Sequence, residues 1–468
     1  MTFSWSIFID LGIVSLGLLI ASFIRAKILF FQRYRIPNSV TAGFLLLPFY
    51  NFLAPILGLD TVGLGNLVFH LLNISFISMS LRDTGKATGK SVLSTATVIL
   101  SQYSIQSLLG IGVTFLFIAT IIPDLFPSFG LLITLGFALG PGQAFAIGTN
   151  WEEFGFVGGG SVGLTFAAMG FLWAFLAGIF LINRAIKKNW IDEKRIKYNR
   201  KKYVQNRSIN DSAAGSRNNT ADAGSSAIDP MSYNLAVVFG VYLGTFLLLK
   251  LLTFLISFAG DAGNELVAGL WGITFIFAAM VAVLVKNLFT RSGISHTIDT
   301  RRLNRISGTS VDIMVTASIG AISLEIFGKY WLPIVVLGIL GGVISAVSLL
   351  WLSSRIFGDS NFHRFILLFG SLTGTLPAGL ALLRVIDPDF KSLAVSDYMY
   401  ALSIVFFFAV PFMISMNFPA RGYSTGNPLY YWITTGIYFA NLIFVLLMFR
   451  IIAGKGAFRE PGKLWSGK

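Results

Sequence analysis

The 468-residue chain has no cysteine. Disulfides, thiolate metal sites and cysteine nucleophiles are therefore excluded. Charge is also scarce: Asp, Glu, Lys and Arg make up 12% of the residues, where soluble domains carry about 25%. The three histidines, His70, His296 and His363, are scattered and offer neither a metal cluster nor a proton relay. No Walker loop, paired-carboxylate motif or Ser/His arrangement is present, which argues against an ATP-driven pump and an intramembrane hydrolase. The expectation is a chain that is not an enzyme and holds no organic cofactor.

Apolar residues fill the space that charge leaves. They make up 55% of the chain, with 44 Phe and 48 Gly, and the mean hydropathy is +0.75. A single water-soluble core stops growing near ~250–300 residues, so this much apolar surface calls for lipid. A spanning helix needs about 20 mostly apolar residues. Ten runs qualify: 5–24, 39–57, 62–80, 92–120, 156–182, 234–258, 265–286, 308–326, 331–354 and 396–416. An eleventh covers 429–450. The first lacks a basic start, carries Asp10 and is followed by basic residues, so it reads as a helix and not as a signal peptide. Two further apolar segments, 128–149 and 362–386, are crowded with Gly, Pro, Ser and Thr and read as broken or re-entrant hairpins.

The net charge of +14 belongs to membrane topology and not to nucleic acid. Lys and Arg collect in cytoplasmic loops. With the N-terminus outside and each hairpin returning to its own side, all but three of the 35 basic residues fall in cytoplasmic loops or the tail. The exceptions are Lys250, Lys329 and Arg421. The polar, basic stretch 185–232 then becomes a cytoplasmic linker, read as largely disordered. It separates a first membrane repeat, 1–184, from a second, 233–416. Residues 417–468 add a helix and a basic tail.

Three short matches occur in the same order in both halves. Ala42-Gly43 pairs with Ala268-Gly269. Ser80-Leu81 with Gly85-Lys86 pairs with Ser323-Leu324 and Gly328-Lys329. Gly136, Gly140 and Ala144 pair with Gly370, Gly374 and Ala378. Five helices and a hairpin precede the linker, so the halves enter the membrane in opposite senses. The expected fold is an all-α membrane protein of about 10–11 transmembrane helices plus two re-entrant hairpins, in two inverted-topology repeats. Inverted repeats with discontinuous helices are typical of secondary transporters, with the solute held near the midplane.

Non-helical backbone survives at membrane depth only inside protein or beside water. Gly140, Pro141 and Gly142 make one such interruption; Gly374 and Pro377 mark the other. Carbonyls freed there suit Na⁺, and amides at the half-helix starts suit a carboxylate. Gln143, Ser371, Thr373 and Thr375 add neutral polar groups. The competing reading is plain helix packing through small residues; two hairpins at equivalent places favour a site. Arg384 either holds a substrate carboxylate or pairs with Asp387 at the cytoplasmic edge. Asp312, near the start of a run, is either a cation ligand or an interfacial residue. Glu152 and Glu153 read as outer-surface residues, and Lys250 as snorkelling to the outer interface.

Several of these motifs resemble a known family. Gly-Pro-Gly-Gln-Ala-Phe at 140–145, Trp151-Glu152, Gly155-Phe156 and the run from Gly163 to Phe171 resemble the first-half signature of the bacterial sodium/glutamate symporters. Thr373-Gly374-Thr375, the stretch from Gly379 to Arg384, and Asp387-Pro388 resemble its second half. Arg35-Ile36-Pro37 before Ala42-Gly43 resembles its N-terminal segment. The resemblance implies Na⁺-coupled uptake of L-glutamate or a related acidic amino acid across a bacterial inner membrane. It also implies inverted five-helix repeats and a homodimer in which a transport domain moves against a scaffold. The chain departs from the family at Gly140–Ala144, where better-known members carry a Gly-His-Gly-Thr-Gly-like stretch, and in a second hairpin less rich in Gly. The alternatives are another small carboxylate, H⁺ coupling, a non-transporting membrane receptor or scaffold, or an ion channel.

Overall fold

A computed structural model describes residues 5–29, 31, 36–82, 89–191, 229–258, 271, 274–357, 361–387 and 392–454. Among them the chain is all-helical, with no strand. The first half runs through α1 (Ser6–Lys27), α2 (Asn38–Pro48), α3 (Val62–Leu81) and α4 (Gly89–Thr120). A broken pair follows, α5 (Leu131–Thr134) and α6 (Pro141–Asn150), then α7 (Gly159–Leu172) and α8 (Gly178–Lys187). The second half runs through α9 (Pro230–Ser257), α10 (Thr274–Arg291), α11 (Thr300–Gly320) and α12 (Leu324–Ile356). Its broken pair is α13 (Asn361–Thr373) and α14 (Leu376–Ile386), followed by α15 (Ala394–Ser415). The short α16 (Phe418–Thr425) and long α17 (Leu429–Ala453) complete the described chain.

The boundaries have local causes. Asp229 caps α9 by accepting from the backbone amides of Ser232 and Met231 (2.9 Å each), and these bonds hold its carboxyl below the usual carboxylate range. Asp299 does the same for α11 through the Arg301 amide (2.8 Å), and Ser323 for α12 through the Ile326 amide (3.2 Å). Such caps satisfy amides that lack an intrahelical acceptor.

Among the described residues, eight helices are long and apolar enough to cross a bilayer, nine if the bent stretch from Ala394 to Thr425 counts as one. α9 leaves Phe239, Leu243, Phe246, Leu247 and Phe254 exposed, and α17 leaves Trp432, Phe439, Leu447 and Ile451 exposed. Faces of this extent need a cover, and lipid supplies one. The chain thus has multi-pass transmembrane character.

The count falls short of the ten or eleven expected runs for physical reasons. The run 39–57 divides into α2, a π-turn at Phe49–Leu53 and a 3₁₀ turn at Pro55–Leu57, ended by Gly58 at φ +70°. The run 308–326 stops at Gly320, and its helix begins upstream at Thr300, taking in Arg301, Arg302 and Arg305. Asp312 therefore sits well inside a helix and not near its start. Of the linker expected at 185–232, residues 192–228 lie outside the described residues, as do Gly85-Lys86, Ala268-Gly269 and Pro388.

The same order of elements recurs in the two halves: three helices, a long helix, a broken pair, then a further helix. The packing sorts them into two groups. α1, α2 and α3 pack with α9, α10 and α11; α4, the broken pairs, α7, α8, α12, α15 and α17 form the second group. Two packed pairs run antiparallel, α3 with α11 and α4 with α12. Arg82, just past the end of α3, donates to Asn304 of α11, the Ser75 and Ser307 hydroxyls lie 3.1 Å apart, and Gly320 faces Leu64. In the second group Gln102 of α4 donates to Ser348 of α12 (2.9 Å), and Gln106 to Ser345 (2.8 Å).

Candidate functional site

The two helix breaks meet. Gly140 separates the π-turn at Leu135–Leu139 from α6 with φ +101° and ψ 174°, a region that costs any residue with a side chain. A β-carbon there would lie 3.1 Å from Cγ2 of Thr375, the residue that precedes α14. Pro141 occupies the first turn of α6 and Pro377 that of α14, positions where the missing amide costs nothing.

Helix α7 buttresses the junction. Gly170 faces the Thr373 carbonyl so closely that a β-carbon would collide with it. Both breaks are thus walled by one helix from the first half. Each break ends one helix and starts another, so carbonyl ends and amide ends are brought together. The first-turn amides of α6 and α14 have no carbonyl one turn behind them, and both helix starts carry partial positive charge.

Two of the polar side chains at this junction, Gln143 and Thr375, lack hydrogen-bond partners. Gln143 is fully buried, and neither its amide oxygen nor its nitrogen has a hydrogen-bond partner. Thr375 stands at the N-cap of α14 in extended backbone, φ −151°, yet its hydroxyl does not cap the helix and has no partner. Leaving such a group buried and unsatisfied costs about 1–3 kcal/mol, so their grouping here points to an occupant. Ser371 is buried beside Gly379 and Tyr398. Thr373 differs from expectation: its hydroxyl donates to the Phe369 carbonyl of its own helix (2.7 Å), leaving its carbonyl as the group at the junction.

The charged candidates lie elsewhere. Arg384 is exposed on α14, nine residues beyond Thr375, or about 13 Å along the helix at 1.5 Å per residue. Asp387 is buried at the end of α14 and accepts from the Ser392 amide (2.8 Å) and hydroxyl (2.7 Å). Asp312 is exposed although Val311 and Met314 are buried. It lies beside Ser39 at the start of α2, in the group of helices that does not carry the breaks. Glu152 and Glu153 are exposed, and Glu152 accepts from the Gly160 amide (3.2 Å). Lys250 is exposed, with Nζ 5.7 Å from the Phe246 ring centroid.

Sequence reasoning missed three polar features. Arg364, read as a loop cation, is buried on α13; its Nη2 donates to Oδ2 of Asp397 at 2.7 Å, with exposures of 2% and 0%. Asp10 is buried on α1 and accepts from the Tyr50 hydroxyl (2.8 Å). Gln106 on α4 donates to the Leu372 carbonyl at the end of α13 (3.1 Å). A lone charge one turn inside an apolar run was the available signal for Arg364; Gln106 offered none beyond being polar in a long span.

No protein-family model, curated protein or solved structure matches the chain.

Proposed function

We propose that the protein is a secondary active transporter that couples Na⁺ entry to uptake of L-glutamate or a related acidic amino acid by alternating access. The observation that carries this reading is the meeting of two helix breaks, Gly140 against Thr375, with the buried Gln143 amide and the Thr375 hydroxyl unpartnered beside them. Two amide ends favour a carboxylate, and the adjoining carbonyl ends favour a hard cation. A site holding both explains why one would not be carried without the other.

The antiparallel run of α3 with α11 and of α4 with α12 supports an inverted repeat of five crossings each, with the hairpins re-entering from opposite faces. Two equivalent folds of opposite orientation can exchange roles, giving outward- and inward-open states of similar energy. The division into two helix groups supplies a moving part, which carries both hairpins, and a frame. The resemblance at residues 140–145, 163–171 and 373–388 to the bacterial sodium/glutamate symporters points to glutamate.

Proteoliposomes test this reading. Radiolabelled glutamate should accumulate when an inward Na⁺ gradient is imposed and should stop when choline replaces Na⁺. Equal uptake in choline would contradict Na⁺ coupling, and dependence on a pH gradient would transfer the coupling to H⁺. No uptake of glutamate or other small carboxylates under any gradient would remove the transport reading.

A further inference from the structure

We infer that the Gln106 side-chain oxygen is a ligand of the coupling cation, held in place by its own amide nitrogen. The inference rests on the Na⁺-coupled reading above and locates the ion within it. Gln106 is fully buried on α4. Its Nε2 donates to the Ser345 hydroxyl of α12 (2.8 Å) and to the Leu372 carbonyl of α13 (3.1 Å). A carbonyl oxygen can only accept, so the atom facing Leu372 must be the nitrogen. The orientation of the amide is therefore fixed by chemistry.

The other end of the amide is left without a partner: Oε1 is buried and receives no hydrogen bond. The oxygen is thus fixed, by two bonds on the neighbouring atom, where no donor reaches it. An oxygen oriented in this way, beside the carbonyl end of a helix, suits a hard cation. Its place in the fold fits the role. Gln106 bonds the end of α13, while the next residue, Ser107, has its hydroxyl 2.8 Å from that of Thr134, on the first arm of the other broken pair. One turn of α4 thus reaches both interrupted elements. A cation at Gln106 would stiffen the contact between α4 and the second break and so prepare the junction for the carboxylate.

The test is Na⁺-dependent thermal stabilisation of the purified full-length chain in detergent, without glutamate, with KCl holding ionic strength constant. Glutamate affinity at saturating Na⁺ is measured in parallel. Gln106→Met keeps the volume and removes the oxygen; Gln106→Glu keeps an oxygen at the same reach. The Met variant should raise the Na⁺ concentration for half-maximal stabilisation by about tenfold, the equivalent of one lost hydrogen-bond-sized contact. The Glu variant keeps an oxygen but loses the donation to the Leu372 carbonyl, so its Na⁺ response should weaken as well, and glutamate affinity at saturating Na⁺ should change little in either. If Gln106→Met keeps the wild-type Na⁺ response, or if both variants lose Na⁺ and glutamate affinity together, Gln106 is a strut or a water site only and the inference fails. Should Gln106→Met not fold, an unchanged Na⁺ response in Ser345→Ala, which removes an anchor of the amide, would equally overturn it. Wild-type glutamate uptake with an unaltered Na⁺ response in Gln106→Met would reject this assignment alone. A Gln106-dependent Na⁺ response without any uptake would reject the transport reading alone.

Discussion

Gly140→Val should abolish uptake while leaving the protein in the membrane. Two effects act together. At φ +101° and ψ 174° the backbone is in a region that costs a side-chain-bearing residue about 1–3 kcal/mol. A β-carbon would also press on Thr375 at 3.1 Å, with the valine methyl groups beyond it. Relief requires one break to withdraw from the other. Misplacement by about 1 Å at a positioned site can cost roughly a hundredfold in rate, and the initial rate of glutamate uptake should fall by at least that much. Gly140→Ala, lacking the methyl groups, should lose less. The measurement is Na⁺-driven uptake by equal amounts of protein, with monodispersity in detergent checked by size exclusion. A wild-type rate in Gly140→Val would mean that the two breaks do not need to touch.

The second large effect concerns the buried ion pair at the start of the second broken pair. Arg364 donates to Oδ2 of Asp397 through Nη2 (2.7 Å) and Nε (3.1 Å), lies 3.4 Å from the Ser91 hydroxyl, and stacks over Phe357 at 5.4 Å. It thereby ties α13 to the start of α15 and the start of α4. Removing one member of a buried pair leaves an uncompensated charge and costs about 3–5 kcal/mol, whereas replacing both with apolar residues can be close to neutral. Arg364→Met and Asp397→Leu should each destabilise strongly, and the double variant should recover most of the loss in thermal unfolding. Additive losses in the double variant would show that each residue acts separately.

Gly140-Pro141-Gly142 and Thr375-Leu376-Pro377 dictate backbone directly, through a positive φ in one case and first-turn prolines in both, so each break falls inside the stretch that the sequence marked. The order of helices was legible because each α-helix in a bilayer must satisfy its own amides and carries its signal locally. Side-chain partnership across the fold is not local. Asp397 lies 33 residues from Arg364, and hydropathy could only sort Arg364 with the cytoplasmic cations around it. Gln106 and Ser345 lie 239 residues apart, and nothing in the sequence around either one pairs them. Asp312 was placed near the start of a span because the apolar run begins at 308, whereas the Asp299 cap starts the helix at Thr300. The run 39–57 is apolar enough to span, but Pro48 and Pro55 divide it, and hydropathy does not weigh backbone donors. Thr373 and Thr375 were indistinguishable in sequence; only the three-dimensional register shows that the first turns back on its own helix and the second does not.

The junction of the two breaks can be probed with a single thiol, since the chain has no cysteine of its own. Thr375→Cys places that thiol beside Gly140. Its rate of modification by a small, membrane-impermeant thiol reagent, followed in proteoliposomes with reagent supplied to each face in turn, should fall several-fold when glutamate and Na⁺ are both present. Glutamate with choline should give no protection. Labelling at one unchanging rate, whichever solute and cation are supplied, would contradict a binding site where the breaks meet.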